Sequence, residues 1–189
     1  MEPVNIVICG LGGQGVLFMT RILAQTALEK GLNVIGAETH GMAQRGGSVI
    51  SHLRIGDLES SLVRAGSAHI LFSLEVNEAY RNLLYLAPGG RIYVDADEGA
   101  FPRDEVKVFL EEKGILYHSF PASRHARELS SPLSSNLALL GYFSSLGEGP
   151  LFRDELRRTI EKLSPERFRE DNLKVFDAGF EWRDQRVEH

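Results

Sequence analysis

The spacing of hydrophobic positions changes along the chain in a regular way. Residues 4–9 are a short β-rich run that stops at Gly10, the pattern of a strand. Over residues 16–27 the apolar positions Val16, Met19, Leu23 and Ala27 recur at helical spacing, and Gly31 follows where a C-cap belongs. Residues 33–37 read as a second buried strand, so the opening segment has the order of a βαβ unit in a parallel sheet. Residues 48–55 then alternate, with Val49, Ser51, Leu53 and Ile55 set against Ile50, His52 and Arg54. That alternation predicts a strand with two unlike faces. Gly56-Asp57 predicts a turn back toward residues 61–63, which makes an inserted hairpin.

After the hairpin the α/β rhythm returns. Residues 69–73 predict a strand, and Val76, Ala79, Tyr80, Leu83 and Leu86 mark a helix. Pro88-Gly89-Gly90 predicts a turn, and residues 91–95 predict another strand. Pro102 and Gly114 bracket a helix over 103–113, and a strand follows over 115–120. The rest reads as helical. Residues 136–146 are apolar nearly all round and so predict a buried helix, whereas Phe152, Leu156, Ile160 and Leu163 form a single stripe. The pattern predicts an α/β domain over 1–180, with a mostly parallel, mixed sheet, an inserted hairpin and C-terminal helices. Residues 181–189 are expected to be a charged, frayed tail.

Composition narrows the classes of function. A chain of 189 residues with 43% hydrophobic residues can bury one sizeable core. Its 21 basic and 26 acidic residues give a net charge of −5 without long charge blocks, which argues against nucleic acid and against a polybasic membrane surface. No apolar run approaches the roughly 20 residues that span a bilayer, and the first residues carry no basic leader. A cytoplasmic location is expected. The single cysteine, Cys9, excludes a disulfide framework and cannot supply the thiolates of an iron–sulfur cluster.

Two glycine-rich segments carry the candidate chemistry. Gly10, Gly12 and Gly15 match a G-x-G-x-x-G turn between a strand and a helix, with Gly13 and Gln14 inside it. There backbone N–H groups and the helix dipole can face an anion such as a pyrophosphate. Glu38 lies about 20 residues further on, where a dinucleotide-binding protein places its ribose-binding acid. The alternative is a tight turn that needs glycine only for its backbone conformation and packing. In the second segment Gly41, Gly46 and Gly47 surround Arg45, whose planar fork suits a carboxylate or phosphate, and Ser48 adds a donor. A solvated arginine on a glycine-rich loop is the competing reading. His40 lacks a second ligand or acid, Arg124, His125 and Arg127 fit a solvated face, and Glu75 and Glu78 suit a helix start. No nucleophile with a base, acid–base pair or metal ligand set stands out, so the catalytic and metal sets are expected to be empty.

Taken together, Gly10-Leu-Gly-Gly-Gln-Gly-Val16, Asn33-Val-Ile-Gly-Ala-Glu38, His40-Gly-Met-Ala-Gln-Arg-Gly-Gly-Ser-Val49 and Ser51-His-Leu-Arg-Ile-Gly56 resemble the gamma-type subunits or domains of 2-oxoacid:ferredoxin oxidoreductases. Within that family the lead-in Gly41-Met-Ala-Gln44 resembles the small (beta) subunits of the indolepyruvate branch. Glu75-Val-Asn-Glu-Ala-Tyr-Arg81, Leu86-Ala-Pro-Gly-Gly90, Asn136, Leu140-Gly141 and Phe176-Asp-Ala-Gly179 extend the resemblance over nearly the whole chain.

The resemblance implies a three-layer Rossmann-like domain that serves as a small, noncatalytic subunit, inactive alone. Its partner would be a large subunit that holds thiamine diphosphate and iron–sulfur clusters, decarboxylates an indolepyruvate-like 2-oxoacid, passes electrons to ferredoxin and yields an acyl-CoA. It also implies that Gly10, Gly12, Gly13, Gln14, Gly15, Arg45, Gly46, Gly47 and Ser48 contact coenzyme A or the large subunit. A free-standing nicotinamide or flavin oxidoreductase and a nonenzymatic ligand-binding module are the alternatives.

Overall fold

The computed structural model describes residues 2–40, 46–57 and 60–182. Among them, strands β1 (Val4–Leu11), β2 (Val34–His40), β3 (Ser48–Ile55), β4 (Ala68–Ser73), β5 (Leu86–Asp95) and β6 (Leu116–Phe120) form one sheet ordered β2-β3-β1-β4-β5-β6. β1, β4, β5 and β6 are parallel, and β3 runs antiparallel to both β1 and β2. The helices are α1 (Val16–Glu29), α2 (Val76–Asn82), α3 (Asp104–Glu112), α4 (Ala122–Glu128), α5 (Ser135–Ser145), α6 (Arg153–Leu163) and α7 (Glu166–Glu181).

Strand alternation divides the core in two, because successive side chains leave opposite faces of a strand. Ile6 and Ile8 of β1 join Ile70, Phe72 and Tyr93 in a layer closed by α1, α5, α6 and α7. Val7 and Cys9 join Leu71, Ile92 and Val94 in a layer closed by Ala79 of α2 and Leu110 of α3. The three-layer α/β architecture predicted from the sequence is the one observed.

Four local expectations are corrected. Residues 61–63 form no strand, and the partner of β3 in the hairpin is β2. Both edges of β3 are taken, by the eight register pairs with β1 and the seven with β2, so the chain after Gly56 has no edge left to join. Val63 instead plugs the second core layer. Residues 33–37, expected as a buried strand beside β1, belong to a half-exposed edge strand, because β3 is inserted between β1 and β2. The predicted helix after β4 is shorter than its apolar spacing suggests: α2 ends at Asn82 and a single 3₁₀ turn, Leu83–Tyr85, leads into β5. Of the expected tail, Glu181 ends α7 and the Trp182 ring packs edge-on against Phe120. Residues 183–189 lie outside the described residues.

The C-terminal helices pack backbone to backbone. α5 is buried along almost its entire length, as its all-round apolar sequence predicts. A Cβ on Gly141 of α5 would lie 2.0 Å from the Phe176 carbonyl oxygen of α7, and one on Gly179 would lie 2.1 Å from the Ala138 carbonyl oxygen. Glycine at both positions lets the helices approach closely enough for α5 to be clamped between the sheet and α7.

Candidate functional site

The candidate residues gather at the carboxyl ends of the parallel strands. The chain leaves β1 for α1 on one face of the sheet and leaves neighbouring β4 for α2 on the other. Such a divergence of connections opens a crevice at the strand ends, where open α/β sheets receive ligands. β3 begins at Ser48, opposite Leu11 at the end of β1, so Gly46, Gly47 and Ser48 of the second glycine segment reach the same rim.

The first turn is built by its glycines and by Gln14. Gly13 and Gly15 take positive φ values of 98° and 84°, which side chains disfavour. The Leu11 N–H donates to Gln14 Oε1 at 2.6 Å and the Gln14 N–H donates to the Leu11 carbonyl at 3.1 Å, so Gln14 clasps its own turn. A Cβ on Gly10 would press on that amide at 2.8 Å. Gly15 is the N-cap of α1. No side chain caps that end, and the first turn of α1 carries no acid. Among the described residues the positive end of the helix dipole is therefore left uncompensated, the condition that favours an anion.

The two segments are physically joined. The Gly12 N–H donates to the Gly47 carbonyl at 2.8 Å, and a Cβ on Gly12 would stand 3.5 Å from the Gly46 nitrogen. This contact removes the Gly12 N–H from the set of donors that could face a ligand, and the bond to the Leu11 carbonyl removes the Gln14 N–H. Gly13, with open space around its Cβ direction, Gly15 and the first amides of α1 remain. Ser48, expected as a donor to an anion, gives its hydroxyl proton to Glu78 Oε2 at 2.6 Å. Arg45 lies outside the described residues, as do Gly41, Met42, Ala43 and Gln44.

Two positioning roles, those of Asn136 and Glu78, were not anticipated from residue patterns. Asn136 of α5, 2% exposed, donates through Nδ2 to the Gly15 carbonyl at 3.0 Å. A Cβ on Gly15 would meet that same amide at 2.5 Å, so Gly15 is required by packing as well as by φ. Glu78, 1% exposed, accepts from Ser48 and from Arg81 and thus ties β3 to α2. Glu75 caps α2 by accepting the Glu78 N–H at 2.9 Å, the helix-start role expected of it. Replacing Asn136 by alanine removes one of the two hydrogen bonds to the Gly15 carbonyl, which keeps the Met19 N–H at 3.0 Å, so the cost is that of one bond, about 0.5–1.5 kcal/mol. For a chain of this size, the midpoint of thermal unfolding should fall by a few degrees while far-UV circular dichroism is unchanged.

Behind the crevice the Cys9 thiol is buried. It donates to Ser73 Oγ at 3.3 Å, and the Ser73 hydroxyl donates to the Glu75 carbonyl at 2.6 Å. Burial is the main cause that pushes the Cys9 thiol up to about 12. Burial and the Glu148 carboxylate likewise raise the Tyr93 hydroxyl. Both groups hold their protons more tightly folded than unfolded. The Cys9 contribution to stability is complete below about pH 8.5 and is lost as the pH climbs toward about 12, and the Tyr93 contribution is complete below about pH 10 and falls as the pH rises through its raised folded value. At about pH 8 iodoacetamide should leave folded Cys9 unmodified and label it once the chain is unfolded in urea.

The remaining candidates are placed as follows. Arg124 pairs with Asp97 at 3.3 Å, and the His125 ring stacks on Phe120 with centroids 5.2 Å apart. Burial lowers the His125 pKa. Arg127 faces Asp95, whose carboxylate accepts from the Ser123 N–H at 2.9 Å and whose pKa is raised by burial. Arg124, Arg127, Asp95, Asp97 and Ser123 line a cavity of about 230 Å³ at the ends of β4 to β6. Glu38 sits on β2, separated from β1 by β3, so it is one strand further from the glycine turn than a ribose-binding acid on an adjacent strand would be. Among the described residues no cluster of His, Cys, Asp or Glu could hold a metal ion, and no helix is long and apolar enough to cross a membrane.

Sheet order, crevice and glycine turn define a Rossmann-like α/β subunit with an antiparallel strand inserted beside β1. The model of the pyruvate ferredoxin/flavodoxin oxidoreductase family matches residues 5–182, and the chain belongs to that family. It is 33% identical, over 95% of its length and 95% of the relative's, to the indolepyruvate oxidoreductase subunit IorB of Thermococcus kodakarensis. The fold is shared with the gamma subunit of a keto/oxoacid ferredoxin oxidoreductase from Geobacter sulfurreducens, with a TM-score of 0.75, 24% identity and coverage of 94% of this chain and 96% of that one. It is shared as well with 2-oxoglutarate:ferredoxin oxidoreductase from Magnetococcus marinus, solved with 2-oxoglutarate, coenzyme A and succinyl-CoA bound. There the TM-score is 0.76 at 22% identity, and the match covers 95% of this chain and 30% of that one.

Proposed function

We propose that the chain is the small subunit of an indolepyruvate-type 2-oxoacid:ferredoxin oxidoreductase. The observation that carries this reading is the similarity to IorB along nearly the full length of both chains. In this reading a large partner subunit binds thiamine diphosphate and iron–sulfur clusters, decarboxylates the 2-oxoacid and passes electrons to ferredoxin. Thiamine diphosphate supplies the carbanion chemistry there. The present chain contributes no reacting group.

Its own work is to bind and orient coenzyme A. Gly13, Gly15 and the first turn of α1 offer N–H donors at a positive helix end, and Arg45, close in sequence to Gly46 and Gly47, supplies a cation. Gln14, Asn136 and the Gly12–Gly47 bond hold those donors in place. Support also comes from the coenzyme A bound in the Magnetococcus marinus relative. The nicotinamide alternative is disfavoured by the displaced position of Glu38. The large subunit docks next to the glycine turn, on the apolar groove of about 340 Å³ lined by Phe18, Leu133, Leu137, Leu163 and Phe168 with Asn136 at its edge.

The test is reconstitution. The chain is mixed with the large subunit and assayed for ferredoxin reduction with indolepyruvate and coenzyme A. Equal activity of the large subunit without this chain would refute the subunit role.

A further inference from the structure

β2 is the outer strand of the sheet, and among the described residues nothing pairs with its free edge. It pairs with β3 without a break over its seven residues, and it carries no proline, lysine or bulge. Natural edges are usually blunted by such devices, and an unblunted edge is a template for another strand. Beside it, α1 leaves part of β2 uncovered, and a groove of about 650 Å³ runs between them. Leu17 and Leu28 of α1 stand at this groove, 40% and 53% exposed. The Ser51 hydroxyl on its floor is fully buried and has no hydrogen-bond partner.

The charges at this groove are complementary to one another. It is lined by one cation, Arg21, and one anion, Glu38, both exposed. Among the described residues neither forms an ion pair. A surface that presents one charge of each sign suits an isologous contact, in which each copy offers both halves of the pair.

We propose that β2 pairs antiparallel with β2 of a second copy of this chain about a two-fold axis at Ala37. In that register residue 34 lies opposite residue 40, 35 opposite 39 and 36 opposite 38, so all seven residues of each strand are used. Glu38 then faces Gly36 of the second copy, and no like charges oppose each other. A shift of the axis to residue 38 would set the two Glu38 carboxylates face to face, a destabilising pair. The two-fold also joins the two grooves, bringing Arg21 of each copy to the groove that holds Glu38 of the other and covering Leu17 and Leu28. This inference does not rest on the assignment of coenzyme A or of the large subunit.

The experiment measures mass by light scattering on the full chain at micromolar concentration, alone and in the reconstituted complex. Wild type should have twice the chain mass. Ala37→Lys places two ammonium groups opposite each other on the axis and should give a monomer, and Ala37→Glu should do the same with carboxylates. Mixing the two variants in equal amounts should restore the dimer, a rescue that misfolded chains could not show. Circular dichroism of each variant checks the fold. A monomeric wild type, dimers that survive both substitutions, or an edge that only the large subunit protects from Ala37→Lys would each overturn the proposal.

Discussion

Gly141→Ala and Gly179→Ala are each expected to destabilise the chain by about 3 kcal/mol or more, at or above the upper end of the usual overpacking range. The reason is what the new methyl would strike. At Gly141 it would stand 2.0 Å from the Phe176 carbonyl oxygen and at Gly179 2.1 Å from the Ala138 carbonyl oxygen. A side chain could rotate away, but a hydrogen-bonded helix carbonyl cannot, so α5 and α7 must separate. That separation would loosen a helix buried on nearly all sides, whose Asn136 holds the glycine turn. At about 2–4 °C per kcal/mol for a chain of this size, thermal unfolding should start at least 6–12 °C lower, or the variants should be insoluble. Gly147→Ala is the control. Gly147 has a positive φ of 66° but nothing within 4 Å of the added methyl, so its cost should be near the 1 kcal/mol of backbone strain alone. Equal stability of Gly141→Ala and wild type would mean that the close helix crossing is wrong.

The second large effect is on activity. The isolated chain should reduce no dye with indolepyruvate and coenzyme A, and full turnover should appear only with the large subunit. In the assembled complex, Arg45→Ala should remove charge-assisted bonds worth about 1.5–3 kcal/mol each, which corresponds to a rise of roughly 10- to 150-fold in KM for coenzyme A. The value of kcat at saturating coenzyme and the KM for the 2-oxoacid should change little, because no reacting group is lost. Unaltered coenzyme dependence in a correctly assembled Arg45→Ala complex would remove the loop from the coenzyme site. Turnover by the chain alone would defeat the subunit reading itself.

How much of this was legible in residue patterns differs from element to element. α1, β4, α3, β6 and α5 lie within a few residues of where apolar spacing, Pro102 and the glycines at 31 and 114 predict them. α1 and α3 are legible because each turns one face to a core layer, β4 and β6 because short apolar runs meet both layers, and α5 because it is buried nearly all round. The glycine turn was legible for a local reason, since Gly13 and Gly15 need φ values that only glycine adopts readily. The place of β2 was not legible. A half-exposed edge strand of Val, Ile, Gly and Ala looks like a buried one, and β3 alternates in the same way whether its partner precedes or follows it.

The sequence by itself determined the α/β class, the strand–turn–helix around Gly10 to Gly15 and the family resemblance, because these depend on local backbone preference and on the period of burial. Only the tertiary structure decided who neighbours whom. It inserted β3 between β1 and β2, which moves Glu38 away from the glycine turn. It also spent the Gly12 N–H on Gly47 and the Ser48 hydroxyl on Glu78, and it brought Asn136 across 121 residues of chain to hold Gly15. Spacing reports which side of an element meets the core. Which donor meets which acceptor across long stretches of chain is set by how the layers pack, and that information exists only once they have packed.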